Sequence, residues 1–81
     1  MKDIRSSTID RLHRLEGQIR GIERLIDQNK PLPLVLQQLQ AASSAIRSLM
    51  VSLLADRLEK EEDGTAKLRP EEVSWVKKLL R

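Results

Sequence analysis

Cysteine is absent from this 81-residue chain, and its aromatic residues are reduced to a single tryptophan. Without cysteine, the chain forms no disulfide, no thiolate metal site and no cysteine nucleophile. This composition fits a reducing compartment. No apolar run approaches the roughly 20 residues of a membrane-spanning helix, and no secretory signal is visible. The sequence therefore predicts a small cytoplasmic protein that has no membrane partner.

The sequence also lacks any set of residues that would form a catalytic site. His13 is the only histidine, and it has no evident serine or aspartate partner in the sequence. It also lacks a second histidine or a cysteine with which to bind a metal, so we interpret it as a surface residue. Gly17 and Gly21 lie inside a helical pattern and follow no strand, so they form no phosphate-binding loop. We expect no enzymatic activity and no catalytic residues.

The chain is instead rich in aliphatic residues at helical spacing. Its length allows one domain, which we take as a single helical domain over 1–81. A first apolar stripe predicts helix 1 over about 7–29, with Ser6, Ser7 or Thr8 as hydroxyl caps. Its residues are Ile9, Leu12, Leu15, Ile19, Ile22 and Ile26.

Helix 2 is predicted over about 33–62 and helix 3 over about 71–80, each opening at a proline. Helix 2 would carry a heptad seam and a second stripe beside it. The seam is Leu32, Val35, Leu39, Ala42, Ile46, Leu49 and Leu53, and the second stripe is Leu36, Met50, Leu54 and Leu58. One hairpin partner covers only one side of such a helix. We therefore expect an all-α, three-helix protomer, a long hairpin plus a short helix, that assembles as an antiparallel dimer and a dimer of dimers.

Basic charge concentrates toward the two ends of the chain. The net charge is +3, with a balance of +2 in residues 1–30, −2 in 31–64 and +3 in 65–81. On helix 1, Arg11, Arg14 and Gln18 share one flank of the apolar stripe. They form either a phosphate-contacting edge or a solvated face with local ion pairs. Arg47, the only charged residue between Lys30 and Asp56, either extends the basic surface or simply points into solvent.

Three segments resemble the CsoR/RcnR/FrmR family of copper-, nickel/cobalt- and formaldehyde-responsive repressors. The first is RLHRLEGQIRGIERLI over 11–26, the second is VLQQLQA over 35–41 followed by LLADRL over 53–58, and the third is EEVSWVKKLL over 71–80. The resemblance implies a three-helix fold, a homotetramer and binding to double-stranded DNA without a helix-turn-helix. It also implies that the positions of Arg11 and Arg14 contact DNA, with the middle of helix 2 near Arg47 contributing.

The sensing residues of that family do not match this sequence. The family places cysteine, histidine, and then cysteine or histidine four residues later, where this chain has Leu32, Arg57 and Glu61. Leucine cannot bind a metal and arginine stays protonated. We therefore expect no metal cofactor at these positions, and Arg57 and Glu61 have the spacing of a helical ion pair.

The sequence predicts a repressor-like DNA-binding regulator that does not bind the usual metals of the family. Two alternatives remain open at this point. One is a helical interaction module that forms mixed oligomers. The other is a sensor with a relocated, non-thiol site that uses His13, carboxylates or Arg57.

Overall fold

The computed structural model describes residues 3–59 and 69–79, and these form three α-helices. Helix α1 spans Ile4–Asp27, α2 spans Leu32–Glu59 and α3 spans Pro70–Leu79. The described residues contain no strand, so the predicted all-α class with three helices is confirmed. Among the helices of this described part, none is long and apolar enough to cross a membrane.

Helix α1 begins earlier than its hydroxyl residues suggested. Asp3 is the N-cap, and its side-chain Oδ1 accepts a hydrogen bond from the backbone N–H of Ser6 at 2.9 Å. A carboxylate at this position satisfies an otherwise unpaired donor and complements the helix dipole. The expectation of a start near residue 7, capped by Ser6, Ser7 or Thr8, is therefore wrong.

The turn between α1 and α2 is a Schellman-type cap built on Asn29. This residue has a positive φ of 53°, which asparagine tolerates better than most residues. The N–H of Lys30 donates to the Leu25 carbonyl at 3.0 Å, and the N–H of Asn29 donates to the Ile26 carbonyl at 3.1 Å. Helix α1 thus ends at Asp27, before the predicted position 29, because Asn29 leaves the helical conformation.

The hairpin core uses one heptad column from each long helix. Leu15 and Ile22 of α1 pack against the column of α2, and Leu25 and Ala45 pack at the margin of this cluster. The buried residues of the α2 column are Val35, Ala42 and Leu49. Each residue in these columns retains 5–7% exposure, so the two long helices are joined by a narrow apolar contact.

A second heptad column on each long helix remains exposed in the single chain. We call these the exposed columns: Leu12, Ile19 and Ile26 on α1, and Leu32, Leu39, Ile46 and Leu53 on α2. Their exposed fractions range from 43% for Leu12 to 65% for Leu32. Ile19, Leu39 and Ile46 line one groove between the two helices. As the stripes predicted, one hairpin leaves much of its own apolar surface uncovered.

Helix α3 lies antiparallel to the second half of α2 and is tied to it at both ends. At its start, Arg57 Nη2 lies 3.4 Å from Glu72 Oε1, and at its end Arg47 Nη2 donates to the Leu79 carbonyl at 3.1 Å. Glu72 Oε1 also accepts the backbone N–H of Arg69 at 2.9 Å, which caps the helix. Helix α3 begins at Pro70, one residue before the predicted start.

Candidate functional site

A shallow hollow between α1 and α2 brings together three of the four candidate DNA-contacting residues. Arg11, Arg14 and Gln18 line it from α1, together with Leu15, while Ala45 closes it from α2. The hollow has a volume of about 150 Å³. We call it the arginine hollow. Spacings of three and four residues place the three polar side chains on one face of the helix, as the sequence predicted.

Arg11 is held in this hollow by two hydroxyl groups of α2. Its Nη2 donates to Ser48 Oγ at 2.8 Å and its Nη1 donates to Ser52 Oγ at 3.1 Å. The two serines lie one helical turn apart, so a single guanidinium spans both. The arginine side chain is half-buried, whereas Arg14 is exposed beside it.

The arginine hollow brings together two guanidinium groups that have no ion-pair partner among the described residues. Within residues 3–59 and 69–79, neither Arg11 nor Arg14 forms an ion pair. By contrast, Arg20 pairs with Glu16 at 3.7 Å on α1. Two adjacent guanidinium groups that form no ion pair with the described residues are suited to attract an anion, and their planar donors match phosphate oxygens.

The fourth candidate, Arg47, lies apart from the other three. It lines the groove of the exposed columns, which shares no residue with the arginine hollow. Its guanidinium is hydrogen-bonded to the last turn of α3 through the Leu79 carbonyl. Within one protomer, Arg47 therefore stabilises the end of α3, where the helix dipole favours a cation, and does not extend the hollow.

Two glycines lie on α1 beside the candidate residues. A β-carbon built on Gly17 or on Gly21 would meet no atom of residues 3–59 and 69–79 within 4 Å. Glycine costs about 1 kcal/mol relative to alanine inside a helix. Contacts within the protomer therefore do not require glycine at either position, and both leave the helix backbone accessible.

The positions that the resemblance assigns to sensing do not assemble a metal site among the described residues. Leu32 is 65% exposed and has no ligating atom. Arg57 contacts Glu72 of α3. The predicted pair of Arg57 with Glu61 lies outside the described residues. His13 is exposed, and the described part of the chain contains no cluster of three or more His, Asp or Glu residues suited to a metal.

A cavity of about 350 Å³ lies between α2 and α3 beside Arg57. Its walls are mainly apolar, and the Arg57–Glu72 pair supplies their charge. The lining residues are Met50, Leu53, Leu54, Arg57, Glu72, Trp75, Val76 and Leu79. Helix α3 thus lies beside Leu54, which is half-buried, whereas Met50 remains 36% exposed and Trp75 61% exposed.

Sequence reasoning did not identify Ser48, Ser52 and Glu72 as partners of arginines. A usable signal existed for Glu72, because a glutamate three residues after a helix N-cap commonly accepts the N–H of the cap residue. For the serines, only their spacing of four residues within α2 gave a hint.

The chain was also compared with known proteins. The sequence pattern of the metal-sensitive transcriptional repressor family matches residues 5–81. The copper-sensing transcriptional repressor RicR of Mycobacterium tuberculosis is 48% identical over 48 residues, which are 59% of this chain and 50% of that protein. The copper-sensing transcriptional repressor CsoR of Bacillus subtilis is 34% identical over 47 residues, which are 58% of this chain and 46% of that protein. The matched part thus spans about half the length of each relative.

Proposed function

Because the chain belongs to the metal-sensitive transcriptional repressor family, we propose that it is a DNA-binding transcriptional regulator that contacts phosphate through the arginine hollow. This proposal rests on one observation. Arg11, Arg14 and Gln18 line the same hollow, and neither arginine forms an ion pair with a described carboxylate. Membership of a repressor family agrees with the lack of a catalytic constellation in the sequence.

Phosphate contacts of this kind give strong but salt-sensitive binding. Each neutralised phosphate releases condensed counter-ions, so the logarithm of the binding constant falls linearly with the logarithm of the salt concentration. Arg11 and Arg14 supply charged donors, and the Gln18 amide adds a neutral donor. The hollow positions the protein on the DNA backbone. Sequence selectivity then requires base contacts or DNA shape.

The DNA-binding unit in this proposal is a homodimer that assembles further into a homotetramer. Ile19, Leu39 and Ile46 of the exposed columns line one groove, and a second copy of the hairpin would bury them around a two-fold axis. An isolated hairpin that leaves Ile19, Leu39 and Ile46 more than 40% exposed has a contiguous apolar surface of the kind that marks a protein interface.

The relatives are named copper sensors, but the donor atoms of this chain do not suit copper(I). Copper(I) prefers soft sulfur ligands, and the chain has no cysteine. Leu32 offers no donor atom, and the Arg57 guanidinium contacts Glu72. We therefore propose that regulation, if it involves an effector, does not use copper(I) at Leu32, Arg57 and Glu61.

The decisive experiment compares DNA binding by the natural chain and by the double variant Arg11→Ala/Arg14→Ala. Purified protein is first used to select fragments from genomic DNA of the source organism, and affinity for an enriched fragment is then measured across a salt series. We expect the variant to lose enrichment and to flatten the slope of log K against log salt by about 2, because two phosphate contacts are removed.

The matched control is Arg20→Ala/Lys30→Ala, which removes the same net charge from exposed positions outside the hollow. This control should retain most of the affinity and the selected fragment. Sedimentation of all three proteins checks that the oligomer is unchanged. Equal DNA binding by the natural chain and by Arg11→Ala/Arg14→Ala, the hollow variant, would refute the proposed DNA surface.

A further inference from the structure

We infer that Ser48 and Ser52 are positioning residues that hold the Arg11 guanidinium in place for one DNA phosphate. This inference rests on the proposed function and adds to it two residues of α2 that do not themselves need to touch DNA. The geometry that carries it is a two-point contact: Nη2 to Ser48 Oγ at 2.8 Å and Nη1 to Ser52 Oγ at 3.1 Å.

For the proposed DNA contact, the important property of the two hydrogen-bond acceptors is that both are uncharged. A serine hydroxyl accepts a hydrogen bond but carries no charge, so Arg11 keeps its full positive charge while its position is fixed. Arg57, in contrast, lies beside the carboxylate of Glu72, whose charge opposes its own. A guanidinium held by neutral acceptors is suited to an external anion.

The serines also leave part of the guanidinium available. Arginine has five N–H donors, and the hydrogen bonds to Ser48 and Ser52 use one from each terminal nitrogen. Among the residues that the structure describes, Arg11 donates to no other side chain. The remaining donors can therefore bind phosphate oxygens in the hollow that Arg14 and Gln18 share.

Fixing the arginine in advance increases its contribution to binding. A free arginine side chain loses rotamer freedom when it binds, and that loss opposes association. Arg11 is half-buried and already restrained through both terminal nitrogens, so less freedom remains to be lost. Exposed Arg14 has no such restraint among the described residues, and its contact with DNA would carry the larger entropic cost.

The same contacts make the position of Arg11 depend on the register of the hairpin. The serines are 37 and 41 residues away in sequence, on the other long helix. A shift of α2 along α1 would therefore displace the guanidinium from the hollow. Positioning by α2 predicts that the serines influence DNA affinity only while Arg11 is present.

A double-mutant cycle tests this inference. The variants are Ser48→Ala/Ser52→Ala, Arg11→Ala and their combination, with Ser48→Thr/Ser52→Thr as the version that keeps both hydroxyls. Affinity is measured by fluorescence anisotropy with a random-sequence DNA duplex at low salt, where the phosphate contribution dominates. Thermal unfolding and sedimentation follow the fold and the oligomer of each protein.

We expect the double alanine variant to bind DNA up to about tenfold more weakly, because the freed Arg11 side chain must again lose its rotamer freedom on binding. The threonine variant should bind nearly as tightly as the natural chain. In the Arg11→Ala background, the serine substitutions should change affinity by less than about twofold, because the group that they position is gone.

Three outcomes would overturn the inference. Unchanged DNA affinity in the double alanine variant, together with weaker binding by Arg11→Ala, rejects positioning but leaves the proposed function intact. A tenfold loss that persists in the Arg11→Ala background indicates a general effect on the hairpin and also rejects it. If Arg11→Ala itself binds normally, both the inference and the proposed DNA surface fail.

Discussion

Arg57 and Glu72 face each other across the junction of α2 and α3, with Nη2 of the arginine 3.4 Å from Oε1 of the glutamate. The same oxygen accepts the N–H of Arg69 at 2.9 Å. One carboxylate thus caps α3 and links it to α2. Because both charged side chains are partly exposed, at 43% and 34%, the ion pair itself contributes little, and the cap is the stronger of the two contacts.

Replacing Glu72 should loosen α3 from α2. Glu72→Ala removes the cap acceptor and should cost about 1 kcal/mol of helix stability. Glu72→Gln keeps an acceptor and should cost less. Collisional quenching of Trp75 fluorescence reports the docking of α3, because Trp75 lines the cavity between the helices. Glu71→Ala, which changes an exposed acid in the same turn, is the control, and an equal effect of both alanine variants would contradict the assigned role.

The exposed columns should control self-association. Ile46→Glu places a charge in the centre of the groove beside Ile19 and Leu39, where burial against a second copy would be strongly unfavourable. Sedimentation analysis should show a shift toward smaller species. Ser44→Glu adds the same charge at an exposed position outside that groove and should leave the oligomer intact. Retention of the full oligomer by Ile46→Glu would place the interface elsewhere.

Copper(I) should not bind tightly to the natural chain. A competition titration with a chromogenic copper(I) chelator should show no transfer of metal to the protein, because the chain offers no sulfur ligand other than two methionines. The triple variant Leu32→Cys/Arg57→His/Glu61→Cys introduces the residue types of the family at the corresponding positions and should withdraw copper(I) from the chelator. Stoichiometric binding of copper(I) by the natural chain would disprove the proposal that this chain does not use copper(I).

Alanine substitution of the two α1 glycines tests whether another molecule approaches the helix at these positions. Gly17→Ala and Gly21→Ala should each stabilise the helix by about 1 kcal/mol, since the added methyl group meets no atom in the described part of the protomer. Thermal unfolding measures this gain, and the anisotropy assay measures DNA affinity in parallel. A lower unfolding midpoint would show that another subunit approaches the helix at that glycine.

The hairpin turn gives a test of backbone conformation. Asn29→Ala should destabilise the protein by about 1 kcal/mol, because alanine resists the positive φ that Asn29 adopts. Asn29→Gly should leave the stability unchanged or increase it. Chemical denaturation measures the free energy of unfolding of both variants. If alanine and glycine behave alike at this position, the Schellman-type cap does not contribute to folding.

The helical architecture is predictable from the sequence because each long helix carries a regular apolar period. Spacings of three and four residues determine which side chains share a face, and this information is local. The same spacings place Arg11, Arg14 and Gln18 on one flank of α1, and all three line one hollow in the folded chain. Their role in DNA binding stays a prediction.

Contacts between helices do not follow from such local spacing. The pairing of Arg11 with Ser48 depends on the axial register of α1 and α2. A heptad pattern does not determine this register, because it permits alternatives that differ by whole helical turns. The hydrogen bond from Arg47 to the Leu79 carbonyl depends on how α3 lies against α2. The N-cap is ambiguous for a simpler reason, since Asp3 competes with three nearby hydroxyl residues that are equally suitable by type.

The separation of the arginine hollow from the exposed columns has a genetic consequence. The two surfaces share no residue, so a subunit with Arg11→Ala and Arg14→Ala keeps every side chain of the exposed columns. Such a subunit, expressed beside the natural chain, should enter the same oligomers and inactivate them. The hollow variant is therefore expected to be dominant in a cell that carries both alleles, whereas Ile46→Glu, which is excluded from the oligomer, should be recessive.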